Sequence, residues 1–199
     1  MEKFAVTKTL IYLHGLGSSG SSPKIDAIRE VLENNGIKVL SPDLPLDPDE
    51  AVNVVKKLVH ELYDSGQLEK LIFCGTSLGG FYASYFGERY DSPYVIINPA
   101  IKPSATFEKY ASNPPTSFMT GKPLPFTEEL IKKFTHFEIK KPTGYLANVF
   151  VAKNDAVISY IPTLDLYKYA SLLHVSNTGG HRYDSEMPRV ISHIRNLFL

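Results

Sequence analysis

Thiols are nearly absent: Cys74 is the single cysteine in 199 residues, so no intrachain disulfide can form and no four-cysteine zinc site can be built. An excess of charge of either sign is also missing. Lys and Arg number 21, as do Asp and Glu, which leaves no net positive field to gather a nucleic-acid backbone or an acidic membrane surface. No stretch approaches the roughly 18 apolar residues that cross a bilayer. The N-terminal MEKFAVTKTLIYLHG also has no signal-peptide h-region. A soluble cytoplasmic protein without a nucleic-acid or membrane partner is the expectation, in a reducing compartment that suits a lone thiol. The six histidines never fall into H-E-x-x-H spacing, since His60-Glu61 is followed by Leu62-Tyr63-Asp64, so no metal site is expected.

Material for a core is plentiful. Apolar residues make up 43% and charged residues 21%, and the length suits one domain spanning 1–199. Short apolar runs that read as strands occur at 9–13, 38–41, 68–74, 94–98, 147–152 and 172–176, six in all. Helical spacing separates most of them. The helix at 23–35 has Ser22 to cap it, Pro23 in its first turn and Gly36 as a stop. Others are predicted from 47 to about 66, 78–89, 160–170 and 188–198. This alternation predicts an α/β fold, a mainly parallel sheet with helices on both faces. One stretch breaks the rhythm. Residues 101–146 hold six of the 14 prolines and seven aromatics, Phe118 among them, with clear helical spacing only over 127–137. A crossover needs far fewer residues, so this segment reads as an insertion capping something.

The chemistry concentrates at Gly75-Thr76-Ser77-Leu78-Gly79, a G-x-S-x-G directly after one predicted strand and directly before a predicted helix. Such a turn needs small residues two before and two after the serine, because larger side chains would collide with neighbouring backbone. It lifts the hydroxyl above the sheet at a helix N-terminus, where unpaired N–H groups favour negative charge. A serine hydroxyl is a weak nucleophile and needs a base, itself oriented by an acid; in this fold the chain order is serine, acid, histidine. Asp155, in the loop after NVFVA, and His181, in TGGH after LLHVS, fall where that order requires. Asp165, His174 and His193 sit inside predicted helices or strands and are weaker candidates. The Leu78 amide is one expected oxyanion donor. The second is the Leu16 amide, in the loop His14-Gly15-Leu16-Gly17 after the first strand. His14 is expected to order that loop through hydrogen bonds, and Cys74 to be a small buried hydrophobe.

Gly15 to Gly20 also spells G-x-G-x-x-G, a dinucleotide-binding signature. In such a turn the third glycine lies inside the helix, whereas Pro23 places the helix start beyond Gly20. The acid expected about 20 residues further on is not there either, Asp43 being the first candidate. No nucleotide cofactor is expected.

The set YLHGLGSS, GTSLGGFYAS, INPAIKP, NDAVISY and GGH resembles the YqiA/YcfP group of small bacterial esterases in the α/β-hydrolase superfamily, and it touches the chain from first strand to last helix. That resemblance implies a compact α/β-hydrolase fold and a Ser-Asp-His triad at Ser77, Asp155 and His181. It also implies hydrolysis of short acyl esters without a cofactor. One departure is the acid loop Lys153-Asn154-Asp155, where the group usually has glycine before the acid. The same machinery could act on a thioester or transfer the acyl group to another acceptor, and a hydrolase fold could also serve as a non-catalytic binder of a small apolar ligand.

Overall fold

The computed structural model describes residues 7–117 and 119–199; Phe118 and the first six residues of the stretch read for a signal segment lie outside them. Six strands form one sheet: β1 (Thr7–Leu13), β2 (Ile37–Leu40), β3 (Leu68–Thr76), β4 (Tyr94–Ile97), β5 (Ala147–Ala152) and β6 (Leu172–Ser176). They run in the order β2-β1-β3-β4-β5-β6, every neighbouring pair parallel. The helices between them are α1 (Pro23–Glu33), α2 (Pro48–Asp64), α3 (Leu78–Arg89), α6 (Ile161–Leu166) and α7 (Met187–Leu197), with α4 (Pro103–Thr106) and α5 (Glu128–Lys133) inside the insertion. Among the described residues, none of these helices is long and apolar enough to cross a membrane.

Strand alternation divides the core in two. Ile11, Leu13, Leu71, Phe73 and Ile96 face a cluster that includes Val52, Val55 and Val59 of α2 and Phe81 and Phe86 of α3. Leu10, Tyr12, Ile72, Cys74 and Val95 face the other cluster, with Ile25 and Ile28 of α1 and Val190 and Ile194 of α7. Burial on both faces explains why YVII and VFVA are continuous apolar runs rather than alternating ones. Ser22 accepts the Ile25 amide at the start of α1 and Asp47 the Asp49 amide at the start of α2, with proline in the first turn of each.

The insertion departs from the sequence reading in detail. The helix predicted over 127–137 is α5 followed by a tighter 3-10 turn at Phe134–Phe137. Phe134 is fully buried there, its ring centroid 5.9 Å from Phe81 of α3 and 5.6 Å from Phe107. Lys133 reaches Asp47 at 2.5 Å and Asp49 at 3.4 Å, tying α5 to the start of α2. The helix predicted over 160–170 is only the six residues of α6, because the chain then turns to pack backbone to backbone on the insertion's end. A Cβ at Gly144 would lie 2.2 Å from the Tyr169 carbonyl oxygen, and the Ser171 amide donates to the Gly144 carbonyl at 2.7 Å. Other boundaries move by a residue or two.

Phe134 therefore anchors the insertion to α3. Phe134→Ala is expected to cost about 3–5 kcal/mol of stability in urea unfolding, the range for a buried phenylalanine cavity. A loss below about 1 kcal/mol would mean that the insertion is not held through this ring.

Candidate functional site

The turn from β3 into α3 is built by close backbone contact. A Cβ on Gly79 would sit 1.8 Å from the Leu13 carbonyl oxygen, and one on Gly75 would sit 2.2 Å from the Gly79 carbonyl oxygen. Only glycine lets β1, β3 and α3 approach this closely. Ser77, between them, is held at φ 58°, ψ −121°, a strained conformation for a residue with a side chain. The surrounding backbone over-determines it. The Ser77 amide donates to the Ile97 carbonyl at 2.9 Å, and its carbonyl accepts the amides of Gly80, Phe81 and Ala100.

Asp155 lies just past β5 with its side chain only 1% exposed. One carboxylate oxygen, Oδ1, accepts the Val157 and Ile158 amides at 2.7 and 3.0 Å; the other, Oδ2, is 2.8 Å from Nδ1 of His181. Burial alone would push this carboxyl up. The His181 ring, the two amides and the histidine's charge outweigh burial and hold it below the usual carboxylate range. With Nδ1 engaged, Nε2 is the ring nitrogen left for a substrate.

Ser77 and His181 border one cavity of about 450 Å³, walled also by Tyr12, Leu16 and Lys24, by Phe107, Tyr110 and Leu124 of the insertion, and by Val157 and Ile158. The structure thus brings the three predicted side chains to one place, with Asp155 behind His181. Among the described residues no hydrogen bond joins the Ser77 hydroxyl to His181. Neither the Leu16 nor the Leu78 amide, the two expected oxyanion donors, has a protein acceptor among the described residues. Leu16 borders this cavity and, with Leu78 and Tyr82, a second chamber of about 130 Å³.

His14 orders the loop that carries Leu16. The Leu44 amide donates to its Nε2 at 3.0 Å, so that nitrogen bears no proton and Nδ1 donates to the Gly15 carbonyl at 2.9 Å. Burial pulls His14 below the usual histidine value, in keeping with this neutral form. Cys74 is buried, and burial pushes its thiol up to about 12, so it stays a protonated apolar filler. The third glycine of the G-x-G-x-x-G pattern has a packing reason. A Cβ on Gly20 would lie 2.2 Å from the Ser41 carbonyl oxygen, and Asp43 accepts the Gly20 amide at 2.6 Å.

Two asparagines hold the histidine loop, and sequence reasoning missed the first. Asn98, buried and at φ 42°, donates its side-chain amide to the Gly180 and His181 carbonyls at 2.8 and 3.1 Å, while its Oδ1 accepts the Ala152 amide at 2.8 Å. Its signal was an amide residue ending an apolar strand, which reads as strand when only hydropathy is weighed. Asn154 stands where the resembled group has glycine. Its backbone stays out of the left-handed region, and its side chain accepts the Gly180 amide at 2.9 Å. The departure therefore adds a brace between the acid and histidine loops.

A family model described as "Uncharacterised protein family (UPF0227)" matches residues 9–198. Among solved structures, Est1E from Butyrivibrio proteoclasticus is similar with a TM-score of 0.77 at 15% identity, covering 97% of this chain and 87% of that one. Alpha/beta hydrolase domain-containing protein 10 from mouse gives 0.67 at 16%, covering 98% and 90%. A monoacylglycerol lipase of Paleococcus ferrophilus gives 0.66 at 14%, covering 97% and 96%. These likenesses carry the fold, which is that of the α/β hydrolases.

The His14 geometry fixes the sign of a pH effect. Unfolded, this ring takes a proton near the ordinary 6.5; folded, its value is lower. Between the two the unfolded chain binds more protons, so His14's contribution to stability falls as pH drops below 6.5 and is complete above it. In urea unfolding from about pH 5 to 8, the stability gap between wild type and His14→Gln should shrink as pH falls. A gap that stays constant across that range would contradict the neutral tautomer.

Proposed function

The chain belongs to the UPF0227 family, and on the geometry around Ser77 we propose that it is a serine hydrolase of small carboxylic esters. The observation that carries this reading is a strained, cavity-facing Ser77 sharing its cavity with a histidine whose Nδ1 is held by a buried carboxylate. His181 Nε2 takes the Ser77 proton as Oγ attacks the acyl carbonyl, and Asp155 keeps the proton on Nδ1 and stabilises the imidazolium. The amides of Leu16 and Leu78 receive the oxyanion. Collapse breaks the bond to the leaving alcohol, which departs with the proton from His181 and leaves an acyl-Ser77. Water then gives its proton to His181, attacks the acyl carbon and releases the acid, and Ser77 recovers its proton. The cycle balances without a cofactor.

Short acyl chains are preferred, because the acyl tail lies toward the chamber beside Leu16 and Leu78, whose volume of about 130 Å³ admits a few carbons. Residues 101–146 act as the cap of this single-domain enzyme, supplying the aromatic wall of the larger cavity. The substrate is a small-molecule acyl ester, and one buried thiol suits a cytoplasmic setting.

Ser77→Ala should abolish labelling by a fluorophosphonate and lower butyrate-ester hydrolysis by at least about 1000-fold while keeping the unfolding midpoint. Asp155→Asn should lower kcat by roughly 1000- to 10,000-fold, since the ring then loses the partner that selects its tautomer. Labelling that persists in folded Ser77→Ala would refute the assignment of the nucleophile.

A further inference from the structure

The larger cavity is electrically one-sided. Its wall includes Lys24 and Arg182 and no aspartate or glutamate among the described residues. Lys24, in the first turn of α1, has a side chain only 14% exposed and donates to the Arg182 carbonyl. Both cations turn to one carboxylate outside the wall, Asp184, at 3.2 Å from Lys24 Nζ and 2.8 Å from Arg182 Nε. One carboxylate thus serves two cations, while Asp155, the other anion of the site, lies behind His181 with both of its oxygens engaged. Burial pulls Lys24 below the usual lysine value, which reports how poorly water solvates this ammonium. The same wall includes the apolar side chains of Phe107 and Leu124 and the ring of Tyr110.

We propose that Lys24 and Arg182 are specificity determinants for an anionic group on the alcohol portion of the substrate, a carboxylate or a phosphate monoester. This rests on the ester-hydrolase reading above. The anion is placed on the alcohol side because Arg182 adjoins His181, the residue that protonates the leaving oxygen, while the smaller chamber beside Leu78, assigned above to the acyl tail, has neither cation on its wall. Lys24 binds the anion as a half-sheltered point charge, and the Arg182 guanidinium, with most of its N–H groups free of Asp184, closes on it from the exposed rim.

The test compares kcat/KM for para-carboxybenzyl butyrate with that for the neutral, equal-sized para-carbamoylbenzyl butyrate. The preference for the anion should be on the order of tenfold at low salt, the size of one charge-assisted hydrogen bond, and should shrink as sodium chloride is added. It should collapse toward unity in Lys24→Met and in Arg182→Gln. Arg182, whose side chain is 77% exposed, keeps the test open should Lys24→Met fail to fold. A para-phosphonooxybenzyl butyrate arm separates the two anions: the larger preference names the group. Benzyl hydrogen glutarate places the carboxylate on the acyl side instead, and a preference confined to it would overturn the placement. Hydrolysis without anion preference, or a preference unchanged in both variants, would overturn the inference and leave the hydrolase reading standing. Binding of N-(para-carboxybenzyl)butyramide and its carbamoyl counterpart to Ser77→Ala by calorimetry reads the same preference without turnover. Tighter binding of the anion there, with no ester hydrolysed by wild type, would sustain the anion site and refute the hydrolase.

Discussion

Backbone packed against backbone at the end of β3 is the constraint from which the rest of the site follows. The Leu13 carbonyl lies so close to Gly79 that no side chain can intervene, and Gly75 meets the Gly79 carbonyl in the same way. Three elements converge within one turn. That convergence sets the direction of α3, carries Leu13 and His14 to the same edge and holds Ser77 at a positive φ that an isolated turn would relax. Strain of this kind costs on the order of 1–3 kcal/mol and persists only where neighbours leave no alternative. Here the Ile97 carbonyl and the Gly80, Phe81 and Ala100 amides supply that restraint. The nearly all-round burial of α3 adds packing that a surface helix could not provide.

A second set of contacts fixes the partners of Ser77, and it is polar. Asp155 is a buried carboxylate, a group that is tolerated only when its oxygens are satisfied, and two amides and the His181 ring do so. Asn98 and Asn154 then bind the backbone around Gly180 from two sides, one from the end of β4 and the other from the acid loop. The histidine loop is thus clamped by side-chain amides whose donors and acceptors are matched. Such a network holds a ring within the narrow tolerance that proton transfer requires.

Much of this was legible in the sequence, for physical reasons. Parallel strands buried on both faces announce themselves as apolar runs, so strands and helices could be read from runs such as YVII or VFVA and from the caps at Ser22 and Asp47. Sterically forced glycines around a serine carry their reason in the spacing. Less legible was anything that depends on tertiary contact. The short α6 ends at Leu166, just before the chain packs against Gly144 at Tyr169 and Ser171, and nothing within 160–170 signals that neighbour. Asn98 looks like the last residue of a strand until its partners 82 and 83 positions away are seen. The sharing of Asp184 by Lys24 and Arg182 spans the chain from α1 to the last loop and has no local pattern.

Support and selection are carried by different parts of the chain. The network that holds Asp155 and His181 draws on Asn98, Asn154 and amides of the acid loop, and among the described residues none of its partners lies in the insertion. The insertion is seated elsewhere, through Phe134 on α3 and Lys133 on the start of α2. Its residues Pro115, Thr116 and Leu124 border the cavity, and Thr116 pairs with Pro123 in an antiparallel bridge. Substitutions at these three residues can change the shape of the wall without touching a hydrogen bond that, among the described residues, orients the proposed base. Lys24 is the exception among the lining residues. Its ammonium both faces the cavity and donates to the Arg182 carbonyl, one residue beyond His181. A group that neutralised Lys24 would act on binding and on the histidine loop together, so charge recognition is coupled to the proposed machinery in a way that aromatic packing is not.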